Sequence, residues 1–129
     1  MLDLKKMLTK ISKYMKTTET GECDNYTAPV GSITGVTYAR HGNVVNLMIS
    51  GRSGGTGASG TNICELTIGD SKLIPAFTST GSVIYGKYMF GVVANPNGKI
   101  IVRNTSNDTF SQGTFEAHII YLVGGGGTA

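Results

Sequence analysis

Tryptophan is absent from this 129-residue chain, and cysteine, histidine and proline number only two, two and three. A zinc site draws on about four Cys, His or carboxylate ligands at characteristic spacings. Here Cys23 and Cys64 form no CxxC pair, and His41 and His118 lie far apart in the chain. No metal or other cofactor is therefore expected. Cys64 reads as a small apolar filler and Cys23 as an incidental thiol. No window reaches the ~18 apolar residues of a membrane span, so membrane insertion is not expected. Lysines interrupt the N-terminal segment, which lacks the apolar run of a signal peptide. Without an export signal, a stable disulfide is not expected either.

Glycine is what the chain has in excess, with 19 residues, beside 40% hydrophobic and only 15% charged residues. Such a balance suits a single all-β domain rich in turns. The net charge of +3 is unevenly placed. Lys5, Lys6, Lys10, Lys13 and Lys16 stand against Asp3 in the first sixteen residues, a local charge of +4 that leaves −1 for the rest. Nucleic-acid binders carry positive charge on the folded domain, with aromatics between. This pattern argues against nucleic acid as a partner.

Residues 1–17 are predicted to be an N-terminal helix. Leu4, Leu8, Ile11 and Met15 recur at spacings of four, three and four, a heptad seam that Met7 and Tyr14 widen. A helix this short is marginal in water, so it must fold back on the domain, lie on an anionic surface or meet copies of itself. Leu8 at an a-type and Ile11 at a d-type position lean towards three or four strands. Residues 18–29 read as a polar linker, 30–124 as a β-sandwich head and 125–129 as a glycine tail. Within the head the hydrophobic period becomes two. Strands are expected near 33–40, 43–50, 62–69, 72–77, 82–86, 87–94, 99–104 and 114–123, separated by turns such as "RHGN" and "NPNG". Pro75 places its strand at an edge or a start. Short strands at this spacing, with no helix between them, predict an antiparallel β-sandwich of jelly-roll-like kind. In "TFEAHIIYLV" one face, Phe115, Ala117, Ile119, Tyr121 and Val123, is apolar throughout. The other begins polar with Thr114, Glu116 and His118 and turns apolar at Ile120 and Leu122, a surface suited to a neighbouring subunit.

"ISGRSGGTGASGT", residues 49–61, matches two catalytic-looking patterns. Gly51-Arg52-Ser53-Gly54-Gly55 fits the nucleophile elbow, which needs a helix directly after the serine. Gly55-Thr56-Gly57-Ala58-Ser59-Gly60 fits the dinucleotide fingerprint, which needs a helix and an acidic residue about twenty positions on. Nothing helical follows, and residues 76–84 contain no Asp or Glu. The stretch reads as a loop at the tip of the sandwich. A glycoside hydrolase would need two carboxylates at a set separation. Glu65, Asp70, Asp108 and Glu116 are the acids available in the sandwich, and nothing in the strand pattern pairs them. The chain is therefore read as non-enzymatic.

Four segments occur in order: "ARHGNVVNLMISG", "IGDSKLIPAF", "NPNGKIIV" and "GTFEAHIIYLV". Together, over residues 30 to 123, the chain resembles the C-terminal head domains of bacteriophage tail fibres and receptor-binding proteins. The resemblance implies a homotrimer, its heads packed about a three-fold axis below a stem. It also implies a ligand, a saccharide of the host cell surface, and a place in the virion tail beside other tail or baseplate proteins, assembled in the bacterial cytoplasm. Leu4, Leu8, Ile11, Met15, Ile120 and Leu122 are then the trimer-interface candidates. For the sugar, the candidates are Arg40 and His41 at one hairpin tip, Tyr85 and Tyr88 about Gly86, and Arg103 and Asp108 on the polar "RNTSNDTFSQG" loop. Plainer roles are weighed beside these: Tyr85 and Tyr88 as core or interface residues, Arg103 as a solvated strand end, His41 as a turn residue and His118 as a partly buried strand residue. The alternative functions are a protein-binding trimeric jelly roll of cytokine or complement type, and a structural tail component without ligand.

Overall fold

The computed structural model describes residues 18–53, 57–110 and 113–124. Its strands are β1 (Thr18–Glu22), β2 (Tyr26–Val30), β3 (Ser32–His41), β4 (Val44–Arg52), β5 (Asn62–Ile68), β6 (Ser79–Tyr85), β7 (Tyr88–Ala94), β8 (Lys99–Asn104) and β9 (Thr114–Leu122). They form two sheets, a front one in the order β1-β3-β4-β9 and a back one in the order β2-β5-β8-β7-β6, with every pairing antiparallel.

Alternation decides which way each strand faces. Val45, Leu47 and Ile49 of β4 and Phe115, Ala117, Ile119 and Tyr121 of β9 turn inward and are buried. From the back sheet come Leu66, Ile68, Val83, Phe90, Val92, Ile100 and Val102, in the same core cluster. Phe90 and Phe115, from opposite sheets, meet edge to face with ring centroids 6.1 Å apart, a geometry aromatic quadrupoles favour. Both cysteines are free and buried, and burial pushes the Cys64 thiol up to about 12.

Three expectations need correction. The supposed linker 18–29 is folded: β1 pairs with β3 from Thr18↔His41 to Glu22↔Thr37, and β2 pairs with β5. As sheet-edge strands, they need a ladder partner on one side and little apolar alternation. Cys23, between them, is a core residue with its N–H donated to the Val36 carbonyl at 2.8 Å. Residues 72–77 do not form a strand. Asp70 caps a short 3-10 turn, Ser71–Leu73, by accepting from the Lys72 N–H, and Pro75 forms only an isolated bridge with Val123. His118 is exposed rather than partly buried, because it lies on the outward face of β9. The helix expected over residues 1–17, with its seam Leu4, Leu8, Ile11 and Met15, lies outside the described residues. The described residues contain no α-helix.

Candidate functional site

The ladder registers place the candidate residues at opposite ends of the sandwich. Thr18, where the described chain begins, lies opposite His41, and Val44 lies opposite both His41 and Leu122. This is the proximal end. Arg40 belongs to it and is committed to backbone: its Nε donates to the Gly42 carbonyl at 2.8 Å and its Nη1 to the Lys72 carbonyl at 3.0 Å. Nearby, Glu19 Oε1 accepts from Lys72 Nζ at 2.7 Å and from the Tyr38 hydroxyl at 2.8 Å. Lys72 also sits 5.3 Å from the Tyr38 ring centroid. The bond from Lys72, then that from Tyr38, holds the Glu19 carboxyl below its ordinary range, and Glu19 in turn raises Lys72.

Tyr85 and Tyr88 mark the distal end, closing the β6–β7 hairpin opposite one another. Both stack on Phe90, and Tyr88 meets Phe110 edge to face at 4.9 Å. Their rings are thus packed against the core, the plainer of the two roles considered. Arg103 is exposed and donates from Nε to Asn62 Oδ1 at 3.0 Å. Asp108 is also exposed, and its backbone carbonyl accepts from Asn104 Nδ2 at 2.8 Å. The structure thus brings Tyr88 together with the loop bearing Asp108, and separates both from Arg40 and His41.

Asn104 is the residue that sequence reasoning missed. Fully buried, it donates from Nδ2 to the Gly57 and Asp108 carbonyls, and its Oδ1 accepts from the Ser106 N–H and hydroxyl. Its own carbonyl accepts from the Gly60 N–H. One amide thereby ties the glycine stretch to the polar loop, and Gly57 and Phe110 exchange both backbone bonds, at 2.9 and 2.8 Å. Gly57 is needed for this close approach, and Gly51 for that of β4 to β3. A Cβ would stand 2.3 Å from the Ser32 carbonyl oxygen at Gly51, and 2.7 Å from Ile63 Cγ2 at Gly57. Ser53 is buried at the end of β4, its N–H donated to the Gly113 carbonyl at 3.3 Å. Among the described residues of the matched motifs, Gly57 and Gly60 mark a packed crossing between loops.

Four large apolar side chains face solvent on the outer surface of the front sheet: Val44, Met48, Ile120 (61% exposed) and Leu122. Val44 pairs directly with Leu122, and Ile120 follows one row on, opposite Asn46. Beside Met48 opens a groove of about 290 Å³ lined by Thr37, Met48, Ser50, Ile84, Tyr85, Glu116 and His118, among others. Of the expected residues, Ile120 and Leu122 stand where the alternation placed them, and only Tyr85 reaches this groove. Its other members come from strands far apart in the chain and share no motif. Among the described residues, no three His, Cys, Asp or Glu side chains gather as metal ligands, and no helix is long and apolar enough to cross a membrane. Compared with known proteins, the chain matches no family model and no curated sequence.

Proposed function

We propose that the chain is the non-enzymatic head of a homotrimeric attachment protein of the bacteriophage tail type, which binds a cell-surface saccharide. The observation that carries this reading is the outward apolar face of Val44, Ile120 and Leu122 at the proximal end. A monomer leaves such a patch in water, whereas a subunit interface buries it. A second copy is the favoured occupant because of what adjoins the patch. The segment with the heptad seam Leu4, Leu8, Ile11 and Met15 joins the fold at Thr18, in the same row of the sheet as Val44 and Leu122. Self-association through the seam and through the sheet face would then act at one end, as a stem does above a head. The jelly-roll-like reading agrees with the crossings between sheets from β4 to β5 and from β8 to β9.

Light scattering on the full chain tests this. A trimer mass at micromolar concentration is expected, and a monomer mass overturns the reading. Ile120→Asp with Leu122→Asp, both on the surface, should weaken the trimer while each head keeps its unfolding midpoint. Leu8→Asp with Ile11→Asp should do the same through the seam, since carboxylates buried beside their own copies cost several kcal/mol. Loss of the β circular-dichroism signal with the seam variant would instead make residues 1–17 part of the domain core.

A further inference from the structure

Along the outer surface of the front sheet, polarity changes from row to row. The proximal rows carry Val44 with Leu122 and Asn46 with Ile120. The next row sets Glu22, Thr37, Met48 and His118 in register, and the one beyond it Gly35, Ser50 and Glu116. Directly opposite residues point to the same side of a sheet, so these polar side chains share the face with the apolar patch. Val83, Ile84 and Tyr85 of β6 complete the groove here.

Two properties set this groove apart. First, its polar groups are uncommitted. The side chains of Thr37, Ser50, Glu116 and His118 make no hydrogen bond or ion pair with a described residue, whereas Glu19 and Glu65 are each held by a lysine and Asp70 caps a turn. Second, the lining alternates. Hydroxyls, a carboxylate and an imidazole stand beside Met48 and Ile84, the latter 75% exposed. A ligand with hydroxyls around its edge and C–H bonds on its faces matches both kinds of surface. The volume of about 290 Å³ is at the small end of the ~300–1,000 Å³ typical of ligand pockets, which suits one ring.

We infer that this groove binds a single neutral pyranose ring, with the Glu116 carboxylate accepting from two adjacent hydroxyls and Met48 and Ile84 against the ring's C–H face. The inference rests on the attachment reading above and assigns it a site. Glu116 is the carboxylate of the lining, so an acidic sugar would bring like charge to it. Glu22 stands in the neighbouring row, outside the lining. Arg52 lies a row further, outside the lining. Charge-assisted bonds from sugar hydroxyls to Glu116 are stronger than neutral ones, so this carboxylate is the anchor.

The test titrates the full chain with methyl α-D-glucopyranoside, methyl β-D-galactopyranoside, methyl α-D-mannopyranoside and N-acetylneuraminic acid. Backbone amide shifts and calorimetry report binding, and light scattering runs in parallel. At least one neutral glycoside should bind and shift Ser50, Glu116 and His118, and the acid should not. Glu116→Gln should weaken binding about tenfold, as for the loss of one charge-assisted interaction, and Ser50→Tyr should abolish it by filling the groove. Both residues face outward, and an unchanged β circular-dichroism spectrum shows that the variants fold. Binding of none of the neutral glycosides, binding of the acid alone, or shifts confined to Arg40–His41 or to residues 103–110 each overturns the inference. A trimer mass with any of these results sinks the groove and leaves the attachment reading standing. A monomer mass sinks that reading whatever the sugars do.

Discussion

At the proximal end, Glu19, Arg40 and Lys72 gather at the surface beside the buried Tyr38, with the Glu19 and Lys72 side chains 47% and 40% exposed. At the distal end, Asn104 is sealed from solvent and Phe90, Phe110 and Tyr88 pack around the neighbouring loops. Exposed ion pairs are screened by salt and contribute little. A buried amide with every polar atom engaged contributes modestly while intact and is costly to disturb, because its partners lose their bonds without gaining water. The distal loops therefore hold their shape without help. The proximal end has weaker internal ties and an apolar outer face, so association with other copies has most to add there. In the proposed function this places assembly at one end and leaves the groove accessible beyond it.

Disturbing the distal end should have the largest effect. Asn104→Ala removes the bonds to the Gly57 and Asp108 carbonyls and those from the Ser106 N–H and hydroxyl, although Gly57 keeps the Phe110 N–H and Asp108 the Ser106 hydroxyl. At about 1 kcal/mol for each bond lost, the total should reach about 3 kcal/mol. Urea unfolding measures it. Amide exchange should quicken over residues 57–61 and 104–110 and stay slow in the β3–β4 ladder. If exchange quickened equally at both ends, the two would form one cooperative unit and the contrast between them would fail.

A smaller loss is expected from Gly57→Ala. The new methyl would meet Ile63 Cγ2 at 2.7 Å and the Phe110 carbonyl oxygen at 3.1 Å, so the bridge must shift. Overpacking of this kind costs about 1–3 kcal/mol. Gly35→Ala is the control: nothing lies within 4 Å of its added carbon, and a surface change of that kind stays within about 0.5 kcal/mol. Equal losses at the two positions would show that backbone freedom, rather than crowding, decides them.

These contrasts also show what was legible in the chain. The β3–β4 hairpin and β9 could be read directly, because Val45, Leu47, Ile49 and Phe115 to Tyr121 alternate strictly and fall inward as written. Ile120 and Leu122 were legible for the same reason. β1 was not, since "TETGE" has no apolar face; it is held by its ladder to β3 and by the Glu19 cluster. Cys23 was hidden in the same polar stretch, although cysteine's general tendency to be buried was a signal there. Asn104 could not be told from its polar neighbours, because burial of an amide depends on carbonyls supplied by Gly57 and Asp108. The groove was invisible for a related reason: register alone brings Thr37, Met48 and His118 into one row.

The smallest effect belongs to the proximal end, and its signature is its dependence on pH and salt. Glu19 titrates below its ordinary 4.5 in the folded chain, chiefly through Lys72 and next through Tyr38. A carboxyl with a lowered folded value binds its proton less readily than in the unfolded chain. Its stabilisation is therefore present above about pH 4.5 and is lost as the pH falls through the folded value. Lys72 is shifted upward, so its share persists until alkaline pH passes its own raised value. Glu19→Gln should thus lower the unfolding midpoint at neutral pH by a small amount that fades in acid. The same difference should shrink at 1 M salt, where the screening length falls to about 3 Å. The loss from Asn104→Ala should be independent of pH and salt over the same range, since no charge is involved. Unfolding curves for both variants at pH 3 and pH 7, in low and high salt, check this directly. A Glu19→Gln difference that persisted at pH 3 would mean that the residue acts through packing, and the two ends would then be held by the same kind of force.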